Sequence, residues 1–181
     1  MELRALNDNE MKISGYAITF NQPTVLFEMN GIEYKEVIDS RALNSTPLND
    51  VLLRYNHNVT TTPLARTRGG SLKLNIDNKG LFFEATLFNT QSARDIYTLV
   101  KERGLDKMSF GFIAGEDNYD KKTNTRMINK IDKLFEISIV DQPAYDSTSV
   151  EARGFFENIV NKEKSEREKI LRQLYIKTLG K

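Results

Sequence analysis

Met108-Ser109-Phe110-Gly111-Phe112 and, further on, Leu134-Phe135-Glu136-Ile137-Ser138-Ile139-Val140 decide how this chain reads. Side chains alternate across a strand. Met108, Phe110 and Phe112 therefore share one face, the core face, and Ser109 and Gly111 share the other. In the second segment Phe135, Ile137 and Ile139 line one face, while Glu136 and Ser138 lie on the other, between Leu134 and Val140. A hydroxyl beside a glycine either faces solvent or marks open space where a substrate backbone can approach. A carboxylate in the middle of an apolar strand is costly without a partner. A histidine N–H would satisfy Glu136, and so would one of the many Lys or Arg residues.

Around these segments the chain up to about Arg153 reads as mainly β-structure with few helices. Lys12–Phe20 is a strand candidate. Asn30-Gly31 joins Phe27-Glu28-Met29 to Ile32-Glu33-Tyr34 as a hairpin. Asp39 can cap a short helical turn over Ser40–Asn44. Val51–Tyr55 is a strand that delivers His57. Ser71–Ile76 and Leu81–Phe88 meet through Asp77-Asn78-Lys79-Gly80, a turn-forming cluster. In Ser92–Arg103 the residues Ile96, Leu99 and Val100 predict a helix that Gly104 ends. Met108–Ala114 and Lys133–Val140 are two strands separated by a polar loop, Asp117–Asn124, and Asp141-Gln142-Pro143 closes the last strand. Composition shifts near Gly154. The spacing of Phe156, Ile159, Val160, Ile170, Leu171 and Leu174 then predicts a C-terminal helix with a charged, solvated centre. The division expected is a β-domain over 1–153 and a helical tail over 154–181.

Composition narrows the chemistry. The chain has 181 residues, no cysteine and a single histidine, His57. Cysteine nucleophiles, redox pairs and disulfides are excluded, and a structural zinc site has too few ligands. Any imidazole-assisted chemistry rests on His57, which otherwise is one more surface residue. Formal net charge is +1, with no basic footprint for nucleic acid. No apolar run approaches the roughly 18 residues of a spanning helix, and no leader layout is visible at the N-terminus. The expectation is an intracellular protein with no membrane or nucleic-acid partner and with neither cofactor nor metal.

In the order His57, Ser109, Glu136 the three segments resemble the prohead (capsid maturation) proteases of tailed bacteriophages, of the HK97 type. The resemblance covers Lys12 to Arg153. It rests on Gly15-Tyr16-Ala17, Tyr55-Asn56-His57-Asn58, Pro63-Leu64-Ala65-Arg66-Thr67, Met108-Ser109-Phe110-Gly111-Phe112, Phe135-Glu136-Ile137-Ser138-Ile139-Val140 and Pro143-Ala144-Tyr145. It implies the fold of herpesvirus assemblin: a closed, mostly antiparallel β-barrel with helices around it. It also implies a serine endopeptidase in which His57 is the general base, Ser109 the nucleophile and Glu136 the third member. Asp141 and Asp132 are rival carboxylates for that third role. Backbone N–H groups after His57 are oxyanion-hole candidates, with Arg66 or Arg68 as charge support. The implied substrates are a scaffold protein or the scaffold-like arm of the capsid protein, and the protease itself. They would be cut inside a procapsid in the bacterial host cytoplasm, by a monomer or a homodimer. The rival reading is a catalytically silent capsid-assembly or scaffold-binding module. An α/β-hydrolase esterase is disfavoured, because no G-x-S-x-G elbow is present.

Overall fold

The computed structural model describes residues 3–7, 10–29, 31–141, 161–162 and 164–170. The chain separates into two compact units, Met1–Ser147 and Thr148–Lys181. In the second, residues 161–162 and 164–170 are helical and exposed, as their charged run predicts. The composition shift at Gly154, the apolar residues Phe155–Val160 and the turn residues Gln142-Pro143 lie outside the described residues.

The first unit is mostly β. In chain order its strands are β1 (Leu3–Asn7), β2 (Lys12–Thr19), β3 (Thr24–Met29), β4 (Ile32–Ile38), β5 (Leu52–Tyr55) and β6 (Ala65–Arg66). They continue with β7 (Leu72–Ile76), β8 (Gly80–Thr86), β9 (Lys107–Asp120) and β10 (Thr125–Val140), and helix α1 (Gln91–Lys101) precedes β9. One antiparallel sheet has the order β1-β2-β8-β7. The other runs β3-β4-β10-β5-β6, with β9 paired to β10.

β10 organises the second sheet. Along one edge it pairs antiparallel with β9 over almost its whole length. Along the other it meets β4 and then β5, both parallel, at Thr125–Ile128 and Glu136–Ile139 respectively. The segment after Asp39 fills the gap between them. The Ile131 amide donates to Ala42 O (2.8 Å), and Thr46 Oγ1 donates to Ile131 O (2.6 Å). Asp39 accepts the Arg41 amide as expected (2.8 Å), but residues 40–45 form successive turns and no helix.

The strands pair mostly antiparallel, as expected, but the expected closed barrel does not form. Closure needs an unbroken ladder around the circumference. Among the described residues the two sheets share one isolated bridge, Phe20 with Ile38. The larger sheet divides into two arms, β4-β3 and β5-β6, because β10 takes two successive parallel partners on one edge. Nor do several helices surround the sheets. α1, with a one-turn 3-10 helix at Thr67–Gly69, is the helical content described in this unit.

Local readings are corrected in two further places. The loop expected over Asp117–Asn124 shrinks to its second half: residues 117–120 belong to β9, because β9 and β10 form one long hairpin that turns at 121–124. In α1 the buried stripe is Ala93, Ile96, Tyr97 and Val100, while Leu99 stays exposed. Thr90 caps that helix by accepting the Ala93 amide (3.2 Å). Its left-handed C-terminal residue is Arg103 (φ 58°), ahead of Gly104, whose amide donates to Leu99 O (2.8 Å).

The core joins both sheets. Ile13, Ile18, Leu81 and Phe83 from the smaller sheet cluster with Leu53, Ile128, Ile131, Leu134, Ile137 and Ile139 from the larger, each at 2% exposure or less. This burial is the main stabilising term, at about 25 cal/mol per Å² of apolar surface. It also fixes which face of β9 and β10 remains for polar side chains.

Candidate active site

The polar face is built from three neighbouring strands. Ser109 on β9 is the ladder partner of Ser138 on β10, which in turn faces Arg54 on β5. Two residues along β10, Glu136 is the partner of Gly111. Met108 and Leu53 point into the core from adjacent positions, so alternation turns Ser109 and Arg54 to the opposite side.

A bulge adjusts this pattern. Leu134 pairs with Phe112 and Glu136 with Gly111, which leaves Phe135 as an extra residue. Phe135 is therefore 40% exposed, with the Lys133 ammonium 4.7 Å from its ring centre. Leu134 fills the core in its place. Strict alternation puts Phe135 inside, and the bulge is why it is not.

His57 arrives from a tight turn. Asn58 N–H donates to Tyr55 O (3.0 Å), and Asn56 (φ 49°) and His57 (φ 55°) are both left-handed. This is the backbone of a type I′ turn. Asn tolerates the left-handed region, whereas a histidine there must be held. The Asn56 amide donates to Ile139 O (2.9 Å), and the His57 amide donates to the buried Ser138 Oγ (3.3 Å). The turn thus lies against the end of β10, with the imidazole over the polar face.

Both ring nitrogens are engaged. Nδ1 is in short contact with Glu136 Oε1, and Nε2 lies 2.8 Å from Ser109 Oγ. A carboxylate only accepts hydrogen bonds, so Nδ1 carries the proton in the neutral ring. Nε2 is then the acceptor that faces the Ser109 hydroxyl. Glu136 Oε2 is met by Ser138 Oγ (3.4 Å) and by Arg54 Nε (3.4 Å). The three residues singled out in the sequence are brought together, and Ser138 and Arg54 join them. Alternation places Ser138 on the face of Glu136, but its hold on the His57 turn becomes visible only with the turn itself.

Gly111 does not leave open space for a substrate. A β-carbon there would sit 3.1 Å from Glu136 Cγ and 3.2 Å from Oε1, so the glutamate occupies that space. The rival carboxylates have other partners. Asp141 accepts from Tyr55 Oη (3.3 Å), and Asp132 pairs with Lys130 (2.8 Å). Arg66 forks onto Asp50 (2.6 and 2.9 Å), and Arg68 lies exposed in the one-turn helix. Of the amides after His57, that of Asn58 is spent in the turn, and that of Thr60 donates to Asn58 Oδ1 (2.9 Å).

A hydroxyl, an imidazole and a carboxylate linked in this order form the arrangement used by serine hydrolases. The chain matches the family model of the caudovirus prohead serine protease over residues 1–165, and it belongs to that family. It is therefore a serine peptidase with a role in phage capsid maturation. No curated protein and no solved structure matches the chain.

Proposed function

We propose that Ser109 is the nucleophile, His57 the general base and Glu136 the third member of the triad, in an endopeptidase that cuts scaffold and itself. The observation that carries this reading is the continuous line from Ser109 Oγ through Nε2 and Nδ1 of His57 to Glu136. Serine is a weak nucleophile while its hydroxyl keeps its proton. As Oγ attacks the scissile carbonyl, Nε2 takes that proton, and Glu136 stabilises the imidazolium. The imidazolium then protonates the leaving amine as the C–N bond breaks, giving an acyl-enzyme. Water, deprotonated by the same nitrogen, releases the acid and regenerates Ser109. The oxyanion must meet N–H donors, each worth roughly 3–4 kcal/mol.

The substrates that suit this family role are a scaffold protein, or the scaffold-like arm of a capsid protein, and the protease's own chain. Cleavage would take place inside the assembled procapsid in the host cytoplasm. The test is co-expression with the capsid and scaffold proteins, followed by a mass-spectrometric map of the fragments and labelling with a fluorophosphonate. Label on Ser109 together with fragments that vanish in Ser109→Ala supports the reading. Unlabelled Ser109, or fragments that persist in the folded variant, overturns it and favours a silent scaffold-binding module.

A further inference from the structure

Arg54 takes no part in the chemistry above, yet its side chain is only 14% exposed and meets three acceptors. Nε lies 3.4 Å from Glu136 Oε2. One terminal nitrogen donates to Asn58 O (2.8 Å) and to Thr61 O (3.3 Å) in the loop that follows His57. The Glu136 side chain is itself 11% exposed. A carboxylate that far from water needs an opposite charge. His57 does not provide one before reaction, because it must be neutral to accept a proton.

We propose that Arg54 is a positioning residue for the peptidase reaction, fastening the Glu136 carboxylate to the loop beyond His57. The inference rests on the triad reading above. With Oε2 held by Arg54 and Ser138, only Oε1 remains for Nδ1, so carboxylate rotation and ring orientation are set together. A planar guanidinium reaches the carboxylate and both carbonyls at once, whereas a lysine ammonium on its flexible stem holds fewer of them.

The charge has a second consequence. Among the described residues the ionisable side chain bonded to the ring is Glu136 from β10, and Arg54 from β5 acts through it. Asp141, at the end of β10, accepts from Tyr55 Oη (3.3 Å). Without Arg54 the carboxylate would hold the imidazolium more strongly. The neutral ring would then form only at higher pH.

The experiment follows the rate at which a fluorophosphonate labels Ser109 between about pH 5 and 9, a window in which imidazole titrates. It uses the full chain, Arg54→Met and Arg54→Lys, with thermal melts alongside. In Arg54→Met the alkaline plateau should fall by roughly 10- to 100-fold, part of what general-base catalysis contributes. The acid limb should also move to higher pH. Arg54→Lys should return the limb towards its original position while the plateau stays several-fold low. A folded Arg54→Met with a plateau within twofold and an unmoved limb overturns the proposal. If Arg54→Met fails to fold, an Arg54→Lys profile identical to that of the unaltered chain overturns it as well. An unaltered chain that never labels at Ser109 instead counts against the triad reading on which the proposal stands.

Discussion

Glu136 lies across the β9–β10 ladder from Gly111, its side chain in the space that a β-carbon on that glycine would need. The nucleophile strand and the carboxylate strand are thus matched in shape, with Ser109 and Ser138 as the next pair on the same face.

Gly111→Ala should therefore impair activity without unfolding the chain. The glutamate must give way by a few tenths of an ångström, which disturbs its contact with His57. Since a 1 Å misplacement costs roughly a hundredfold, a loss of about tenfold in kcat is expected. Steady-state kinetics and a thermal melt check this. Full activity in the folded variant would mean that the Glu136 position is not critical.

Ser109→Ala should abolish self-cleavage and scaffold cleavage, by on the order of 10⁵- to 10⁶-fold. The hydroxyl faces away from the core and has His57 as its partner, so stability should change by no more than about 1 kcal/mol. Urea titration and a fragment map on the same preparation separate the two effects.

Glu136→Gln should cost on the order of 10³- to 10⁴-fold, because an amide can present its NH₂ to Nδ1 and hold the wrong tautomer. Asp141→Asn should cost little, since that carboxylate accepts from Tyr55 Oη. The reverse order of effects in parallel assays would move the third role to Asp141.

Activity should rise through a single ionisation on the acid side and then level off. His57 must lose its proton before it can act as a base, and the chain has neither a second histidine nor a cysteine to add another step. His57→Ala should remove the limb along with nearly all activity. A flat pH–rate profile on a peptide carrying the mapped cleavage site would exclude His57 as the base.

Glu36 should make stability depend on pH away from the site. Burial pushes its carboxyl up to about 7, with the nearby Asp117 charge adding to the effect and Arg126 opposing it. The raised value means that the folded state binds the proton more tightly than the unfolded chain. Its stabilisation is complete below the ordinary glutamate range near 4.3 and fades as pH climbs through about 7. Glu36→Gln keeps a neutral side chain throughout. Relative to the unaltered chain it should gain stability between about pH 4 and 8, by at most about 4 kcal/mol. Urea melts at both ends test this, and a difference that stays constant with pH would refute it.

The sequence by itself determined the chemistry available and the residues that could carry it. One histidine and no cysteine leave few routes, and alternation along Met108–Phe112 and Glu136–Ile139 sorts core from polar face without any structure. Local turn chemistry was equally legible at Asp77, whose Oδ1 accepts the Lys79 and Gly80 amides (2.8 and 3.0 Å), and so was the antiparallel pairing of β3 with β4. The tertiary structure decided what depends on strands distant in sequence. That β10 would run parallel to both β4 and β5, and so split the sheet where a closed barrel was expected, leaves no periodic mark in any one segment. The bulge at Phe135 and the left-handed pair Asn56-His57 likewise arise from pairing and hydrogen bonds made across the fold. Arg54 reads as an ordinary strand arginine until Glu136 and the loop beyond His57 are brought to it, because an ion pair is a property of where two chain segments meet.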